Sequence, residues 1–219
     1  MTDTSPTPMF PLGAVLLPGA VLPLHVFEPR YRDLTAFCIE NQTQFGVVLI
    51  AKGHEVGGGD IRHEMGCLAR IDQAAQTPDG RWGLLCVGTQ RIRVLEWLDD
   101  DPYPQALVET VSLPRFDAEG SPETVERVEA LKVLLRRTLA LGSEAGLQLA
   151  PATIDLPDDP VEAVWRVGEV APISQQDRYE LLVSDDWDDR VELLFRTIAG
   201  AREIIEFRLK SSAGEDFGA

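Results

Sequence analysis

Residues 9–31 read MFPLGAVLLPGAVLPLHVFEPRY, two short apolar runs divided by Pro18 and Gly19 and followed at once by a helix start. Val, Leu and Phe favour extended backbone. Pro11, Pro18 and Pro23 each withhold a backbone N–H, which places these runs near an edge or a bulge rather than in the centre of a ladder. At Phe27-Glu28-Pro29-Arg30-Tyr31 the local rule changes from strand to helix. Proline suits the first helical position, where its fixed φ costs nothing and its missing N–H would have had no intrahelical partner. Glu28 is a poor N-cap residue, which leaves its carboxylate for an ion pair with Arg30 or Arg32.

Outward from this stretch, a helix is expected from about Glu28 to Glu40, with Leu34, Phe37 and Cys38 on one apolar stripe. Phe45 to Ala51 (FGVVLIA) is a continuous apolar run rich in branched residues and reads as a strand buried on both faces, at the centre of a sheet. Lys52 to His63 contains Gly57-Gly58-Gly59 and reads as a flexible loop. A long strand from Met65 turns at Thr77-Pro78-Asp79-Gly80 and returns from Trp82 to Leu98, followed by a strand from about Gln105 to Ser112. In the return strand, alternation puts Arg91 and Arg93 on the face opposite Ile92 and Val94. Six strands with one helix and mostly hairpin links hide their edges best in a small, partly closed β-barrel.

The composition changes at Pro114 to Ser121, a polar stretch with Pro and Gly. Ser121-Pro122 pairs an N-cap residue with a first-turn proline, and Val125, Val128, Leu131, Leu134, Leu135 and Leu139 follow at helical spacing. Asp159-Pro160, Ser174-Gln175 and Ser184-Asp185-Asp186 read as three more helix starts, the last helix running to about Leu209. The fold class is therefore α+β, a β-barrel half followed by a helical bundle. The boundaries are a disordered lead-in at 1–8, a barrel domain at 9–113, a linker at 114–120, a bundle at 121–210 and a polar tail at 211–219.

Acidic residues outnumber basic ones 36 to 20, for a formal charge of −16. That field repels phosphate backbones and anionic membrane surfaces, so nucleic acid and membranes are not expected partners. Cys38, Cys67 and Cys86 are widely spaced with no Cys-x-x-Cys pair, as befits reduced, buried thiols in a cytoplasm. The first residues lack the basic and apolar regions of a signal peptide, and no run of about 18 apolar residues occurs. A cytoplasmic location is expected.

Pro11-Leu12, Leu16-Leu17-Pro18-Gly19 and Leu22-Pro23-Leu24-His25-Val26-Phe27-Glu28-Pro29-Arg30-Tyr31 together resemble the opening of the Lon substrate-binding (Lon N-terminal) domain family. Gly88-Thr89-Gln90-Arg91-Ile92-Arg93-Val94 is similar to a second motif of that family, the Gly-x-x-Arg-x-x-Val turn and strand. The resemblance covers Met9 to Val111 and continues more faintly to about Leu209. It implies a PUA-like pseudo-barrel and a standalone copy of the recognition part of Lon, without its ATPase and peptidase domains. The residues agree with that implication. No phosphate loop of the Gly-x-x-x-x-Gly-Lys-Ser/Thr kind is present, and none of Lys52, Lys132 and Lys210 sits in a nucleophile motif that would build a Ser-Lys dyad.

Several residues invite chemistry. His54, His63 and Cys67, with Glu55 and Glu64 beside them, offer N, S and O donors for zinc, but their spacing matches no compact zinc motif, and loop histidines with a core cysteine are the preferred reading. His25, within an apolar strand, is expected in the core with a hydrogen-bond partner. Arg91 and Arg93 are expected on a solvated face, paired with acids. Asp99-Asp100-Asp101 and Asp188-Asp189 lack the pattern of a calcium loop. Trp165 and Trp187 belong to core stripes, and Trp82, next to the hairpin tip, is the candidate aromatic anchor for a peptide.

The function that follows is a non-catalytic protein-binding module with no cofactor. By resemblance, its partners are unfolded or degradation-marked polypeptides and a protease complex that it serves as adaptor, with a monomer favoured. The alternative is a small metal-dependent enzyme or metal-binding protein built on the His54-His63-Cys67 segment. A third reading has the bundle mediating assembly within a complex.

Overall fold

The protein is described by a computed structural model covering residues 6–52, 61–112 and 122–215. It divides into two compact units, Met1–Ser112 and Leu113–Ala219.

The first unit contains β1 (Thr7–Leu12), β2 (Val21–Val26), α1 (Pro29–Asn41), β3 (Phe45–Lys52), β4 (Ile61–Gln76), β5 (Trp82–Trp97) and β6 (Gln105–Thr110). The strands run in the order β2-β5-β4-β3-β1-β6, and β6 pairs with β5 as well. Five strands thus close a ring, while β2 hangs on β5 outside it. β1 and β3 are parallel; the other pairings are antiparallel.

The length of β4 and β5 makes this possible. Each has 16 residues, about 50 Å of extended chain, so one half serves the ring and the other reaches out of it. On β5, Ile92–Trp97 pair with β6 and Trp82–Val87 pair with β2. On β4, residues 61–69 pair with β3. From Arg70 to Gln76 only β5 lies alongside among the described residues.

Met9, Val48, Ile92, Val94 and Ala106 form the centre of the ring, with Leu68, Trp97 and Val108 packed on them. The first five residues of β3 are all buried, as the unbroken apolar run requires. Among the described residues β2 is a sheet edge, but β1 is flanked on both sides, with β6 meeting it only at Thr7 and Pro8. The edge expectation therefore holds for one of the two proline-bearing runs.

Helix α1 begins at Pro29 with Glu28 as an N-cap that makes no side-chain cap bond. The Glu28 carboxylate instead pairs with Arg30 at 3.1 Å. Gln42 ends the helix in the left-handed region at φ 52°, and the Thr43 N–H donates to the Cys38 carbonyl at 3.0 Å.

The second unit contains α2 (Pro122–Glu144), α3 (Pro160–Val170), α4 (Gln175–Val183) and α5 (Trp187–Glu215). The start of α2 falls where expected, although Ser121 lies outside the described residues. α2 and α5 run parallel: Thr124 donates to Asp188 at 2.6 Å, Arg127 pairs with Glu192 at 2.5 Å, and Gly142 lies by Ile205. Asp159 caps α3, Ser174 and Asp177 form a reciprocal capping box on α4, and Asp186 accepts from the N–H groups of Asp188 and Asp189 at the head of α5. α5 continues to Glu215, past the expected end at Leu209.

Two arginines organise the inside of this unit. Arg178 donates to the carbonyls of Gly168, Glu169, Ala171 and Ile173, satisfying the C-terminal end of α3,. Burial lowers its pKa from the ordinary arginine value, with Asp177 and Glu169 opposing the shift. Arg190 is fully buried. Its guanidinium lies 4.8 Å from the Trp165 ring centroid and 5.0 Å from that of Trp187, and it donates to the carbonyls of Leu181 and Ser184. Trp165 and Trp187 meet edge to face at 6.4 Å, and Trp165 belongs to the core as its position on an apolar stripe suggests.

Candidate functional site

The opening stretch builds one surface. Gly88 donates its N–H to the Ala20 carbonyl at 2.9 Å. With the β2–β5 register, strand alternation then turns the polar groups of Leu22, Leu24 and Val26 towards β5 and those of Val21, Pro23 and His25 away from it. The missing N–H of Pro23 thus falls on the outer edge, where it costs no ladder bond. Leu22, Leu24 and Val26 turn their side chains inward, and Val21, Pro23 and His25 are exposed. The expectation of a core histidine is corrected: His25 sits on a strand outside the ring, which has only one covered face.

Beside β2 lies a groove of about 180 Å³ lined by Phe10 and Leu12 of β1, Pro23, His25 and Phe27 of the β2 segment, and Tyr31 of α1. Phe10 and Tyr31 stack with centroids 4.0 Å apart and planes 10° from parallel, and Arg30 covers Tyr31 at 4.5 Å. The Glu28–Arg30 pair fixes that guanidinium. Phe27, 54% exposed, is a large apolar side chain presented at this groove. The groove can receive an apolar side chain next to a charged pair.

A second hollow, about 420 Å³, lies along β4 where β3 no longer covers it, lined by Cys38, Ile39, Gln42, Thr43, Gln44, Arg70, Ile71, Asp72 and Ala74. In the helical unit a third hollow of about 520 Å³ is lined by Glu180, Asp185, Asp189, Glu192 and Arg196 together with Val183 and Leu193.

The residues singled out from sequence are scattered. Trp82 is half-buried on β5 between Val26 and Gln76, lining none of these three hollows. Arg93 is exposed and pairs with Glu109 at 3.0 Å, as expected. Arg91 is 2% exposed, so the expectation of a solvated face fails for it. Arg93 lies opposite Glu109 of β6, whereas Arg91 lies opposite Cys67 of β4, next to the irregularity between Cys67 and Ala69. Asp100 is used in an ion pair with Arg62 at 2.7 Å, and that arginine stacks on Trp97 at 4.4 Å.

His54 and Glu55 lie outside the described residues. His63 and Cys67 stand four residues apart on β4, about 13 Å along the strand, too far to share a metal held at about 2.0–2.3 Å from each ligand. Cys67 is fully buried, and burial pushes its thiol up to about 12. Among the described residues no three His, Cys, Asp or Glu side chains gather as a metal site would require. No described helix is long and apolar enough to cross a membrane.

The groove residues Phe10, Phe27 and Tyr31 were visible in sequence as an apolar stretch, but not as neighbours. The parallel pairing of β1 with β3 brings Phe10 to Tyr31, and nothing in local spacing announces a parallel pair.

Fold and surface define an α+β protein whose described residues present three hollows and gather no three side chains that could hold a metal ion. Residues 6–199 match the family described as the ATP-dependent protease La (LON) substrate-binding domain, and the chain belongs to that family. It is 28% identical over 213 residues to Lon protease 2 of Myxococcus xanthus and 25% identical over 213 residues to the Lon protease of Anaeromyxobacter dehalogenans, each alignment covering 93% of this chain and 24% of the relative. The chain thus spans about a quarter of the length of the curated relatives it matches. Among solved structures, a Lon N-terminal domain protein from Xanthomonas campestris superposes with a TM-score of 0.61 at 30% identity, covering 88% of this chain and 98% of that one. The N-terminal domain of a Mycobacterium avium complex Lon protease gives 0.65 at 17% identity, covering 89% and 98%, a likeness of fold. The α+β architecture expected from sequence agrees with these neighbours.

Proposed function

We propose that this chain is a non-catalytic recognition module that binds unfolded or degradation-marked polypeptide segments and acts as an adaptor in proteolysis. One observation carries the reading. The family's own description is substrate binding, and this member presents an apolar groove with an exposed Phe27 at the segment that bears the family's opening motif. An exposed large aromatic beside a hollow is the kind of anchor that binding surfaces use. The phosphate loop and Ser-Lys dyad of a protease are missing from these 219 residues, which supports recognition rather than cleavage as the task of this segment.

Titration of the purified chain with a permanently unfolded polypeptide, such as a reduced and carboxymethylated protein, tests the proposal. Saturable binding at micromolar concentrations is expected, with no binding of the same polypeptide in its folded, oxidised form. Equal affinity for the two forms, or none for either, overturns it.

A further inference from the structure

We infer that the outer edge of β4 between Ile71 and Gln76 is a strand-addition site, on which an extended polypeptide segment pairs as an extra strand beside β4. The inference rests on the recognition role proposed above and names how the segment is held.

The hydrogen-bond register defines the edge. Thr77 donates its N–H to the Arg81 carbonyl at 2.9 Å, closing the hairpin with a bonded pair. Stepping back by alternation, Ala75 and Gln73 bond to Gly83 and Leu85, while Gln76 and Ala74, opposite Trp82 and Leu84, turn their N–H and C=O groups away from β5,. Beyond the irregularity between Ile71 and Gln73, Ile71 lies opposite Cys86, a residue whose own polar groups face β2. Ile71 therefore also points outward. Ala74 and Gln76 offer donors and acceptors about 6.8 Å apart, the repeat of an extended chain.

The sheet has this edge because β3 starts late. The chain leaves α1 through the left-handed Gln42 and enters the ladder only at Phe45, opposite Ala69. Gln44 stays by the ring, accepting from the Thr89 hydroxyl at 2.5 Å. An added strand would lie where β3 would run if it began six or seven residues earlier.

Two contrasts make the edge a site. The outer edge of β2 carries Pro23 at an outward position, a usual protection against pairing, whereas 70–76 (RIDQAAQ) has no proline and its two charges, Arg70 and Asp72, neutralise each other at 2.8 Å. The hollow of about 420 Å³ also runs along this edge, with Cys38, Ile39, Ile71 and Ala74 among its walls. Ile71, Ala74 and Gln76 share a face with Cys86, Leu84 and Trp82, so alternate side chains of the guest would enter the hollow and the others would meet solvent. Backbone bonds supply affinity and alternate pockets supply preference, the pattern of strand addition. The occupant is a single extended segment: the edge spans only Ile71 to Gln76, and the hollow of about 420 Å³ beside it has room for a few side chains rather than a folded unit,.

Ala74→Pro in the full chain tests this. It deletes an outward N–H that no ladder bond among the described residues uses and fills the edge with a ring, so the thermal midpoint should stay within a few degrees of wild type. Affinity for the unfolded polypeptide should fall roughly tenfold, as loss of an edge bond with a steric block implies. A peptide of alternating Val and Thr should bind, and the same peptide N-methylated at every second residue should not. Amide exchange at Ile71, Ala74 and Gln76 should slow in the complex. Binding by wild type that survives both Ala74→Pro and N-methylation overturns strand addition and leaves the recognition role standing. No binding by wild type overturns both. A concentration-dependent dimer of the chain alone, abolished by Ala74→Pro, assigns the edge to a second copy and also overturns the inference.

Discussion

Gly88 packs its backbone directly against the carbonyl of Leu17: a Cβ at position 88 would overlap the Leu17 oxygen and press on the Leu16 side chain. Around that contact Gly19 donates to the Gly88 carbonyl and Gly88 donates to Ala20, both at 2.9 Å. The two sequence motifs that carry the family resemblance, one near residue 17 and one near residue 88, are thus the two sides of a single backbone contact. Gly88→Ala has no soft side chain to displace, so it should cost about 3 kcal/mol of stability. Gly83→Ala on the same strand, where the nearest atom is the Ala75 carbonyl oxygen at 4.0 Å, should be tolerated. Urea denaturation of the two variants checks this, and equal midpoints would contradict it.

That contact also marks how far sequence reading reaches. Pro29 at a helix start and the Asp159 and Ser174 caps are local signals, and the structure agrees with them within a residue or two, whereas β4 begins at Ile61, inside the expected loop and four residues before Met65, and β1 ends at Leu12, well short of Leu17. What sequence could not deliver is non-local. The parallel β1–β3 pair, the closure of β5 on β6 and the burial of Arg91 depend on which strands meet. The exposure of His25 is non-local too: alternation says that it opposes Leu24, but not that its face of β2 is the exposed one. The groove and the open edge are likewise products of where strands stop, and a stop at Phe45 rather than a few residues earlier leaves little trace in composition.

The three cysteines give a pH prediction. Cys38, Cys67 and Cys86 are buried, and burial raises each thiol from an ordinary value of 9.0 to about 12. In the fold they hold their protons up to about 12, whereas in the unfolded chain they lose them above about 9. Unfolding in that window releases protons, so stability is flat below pH 9 on their account and falls between 9 and 12, by at most about 1.4 kcal/mol per pH unit for each thiol. Urea midpoints measured from pH 8 to 11 should show the decline, and replacing Cys67 by Ala should reduce its slope. The same burial predicts that a thiol reagent at pH 8 labels none of the three until the protein unfolds.

Arg190 should be the most costly single charge to remove from the helical unit. It is enclosed by Trp165 and Trp187 and satisfies the carbonyls of Leu181 and Ser184 between α4 and α5. Arg190→Leu leaves those acceptors buried without a donor, for a loss of about 3–5 kcal/mol. Arg190→Lys keeps the charge but loses the planar fork that stacks on one ring and reaches two carbonyls. Lysine should recover less than half the loss. Thermal unfolding, with tryptophan emission as a local probe, reads both variants.

Phe27 separates binding from folding at the groove. It is 54% exposed, so Phe27→Ser removes little buried area and should change stability by less than about 0.5 kcal/mol,. Its neighbour Tyr31 is buried and stacked on Phe10, and Tyr31→Ala should cost about 3–4 kcal/mol through the cavity it leaves. If the groove anchors a polypeptide, Phe27→Ser should weaken binding of the unfolded chain about tenfold at unchanged stability, the share of one well-placed aromatic anchor. Combining it with Ala74→Pro then tells whether groove and edge hold the same segment. Losses that add on a free-energy scale mean independent contacts, and a double variant no worse than the weaker single one means that the two contacts act only as a unit.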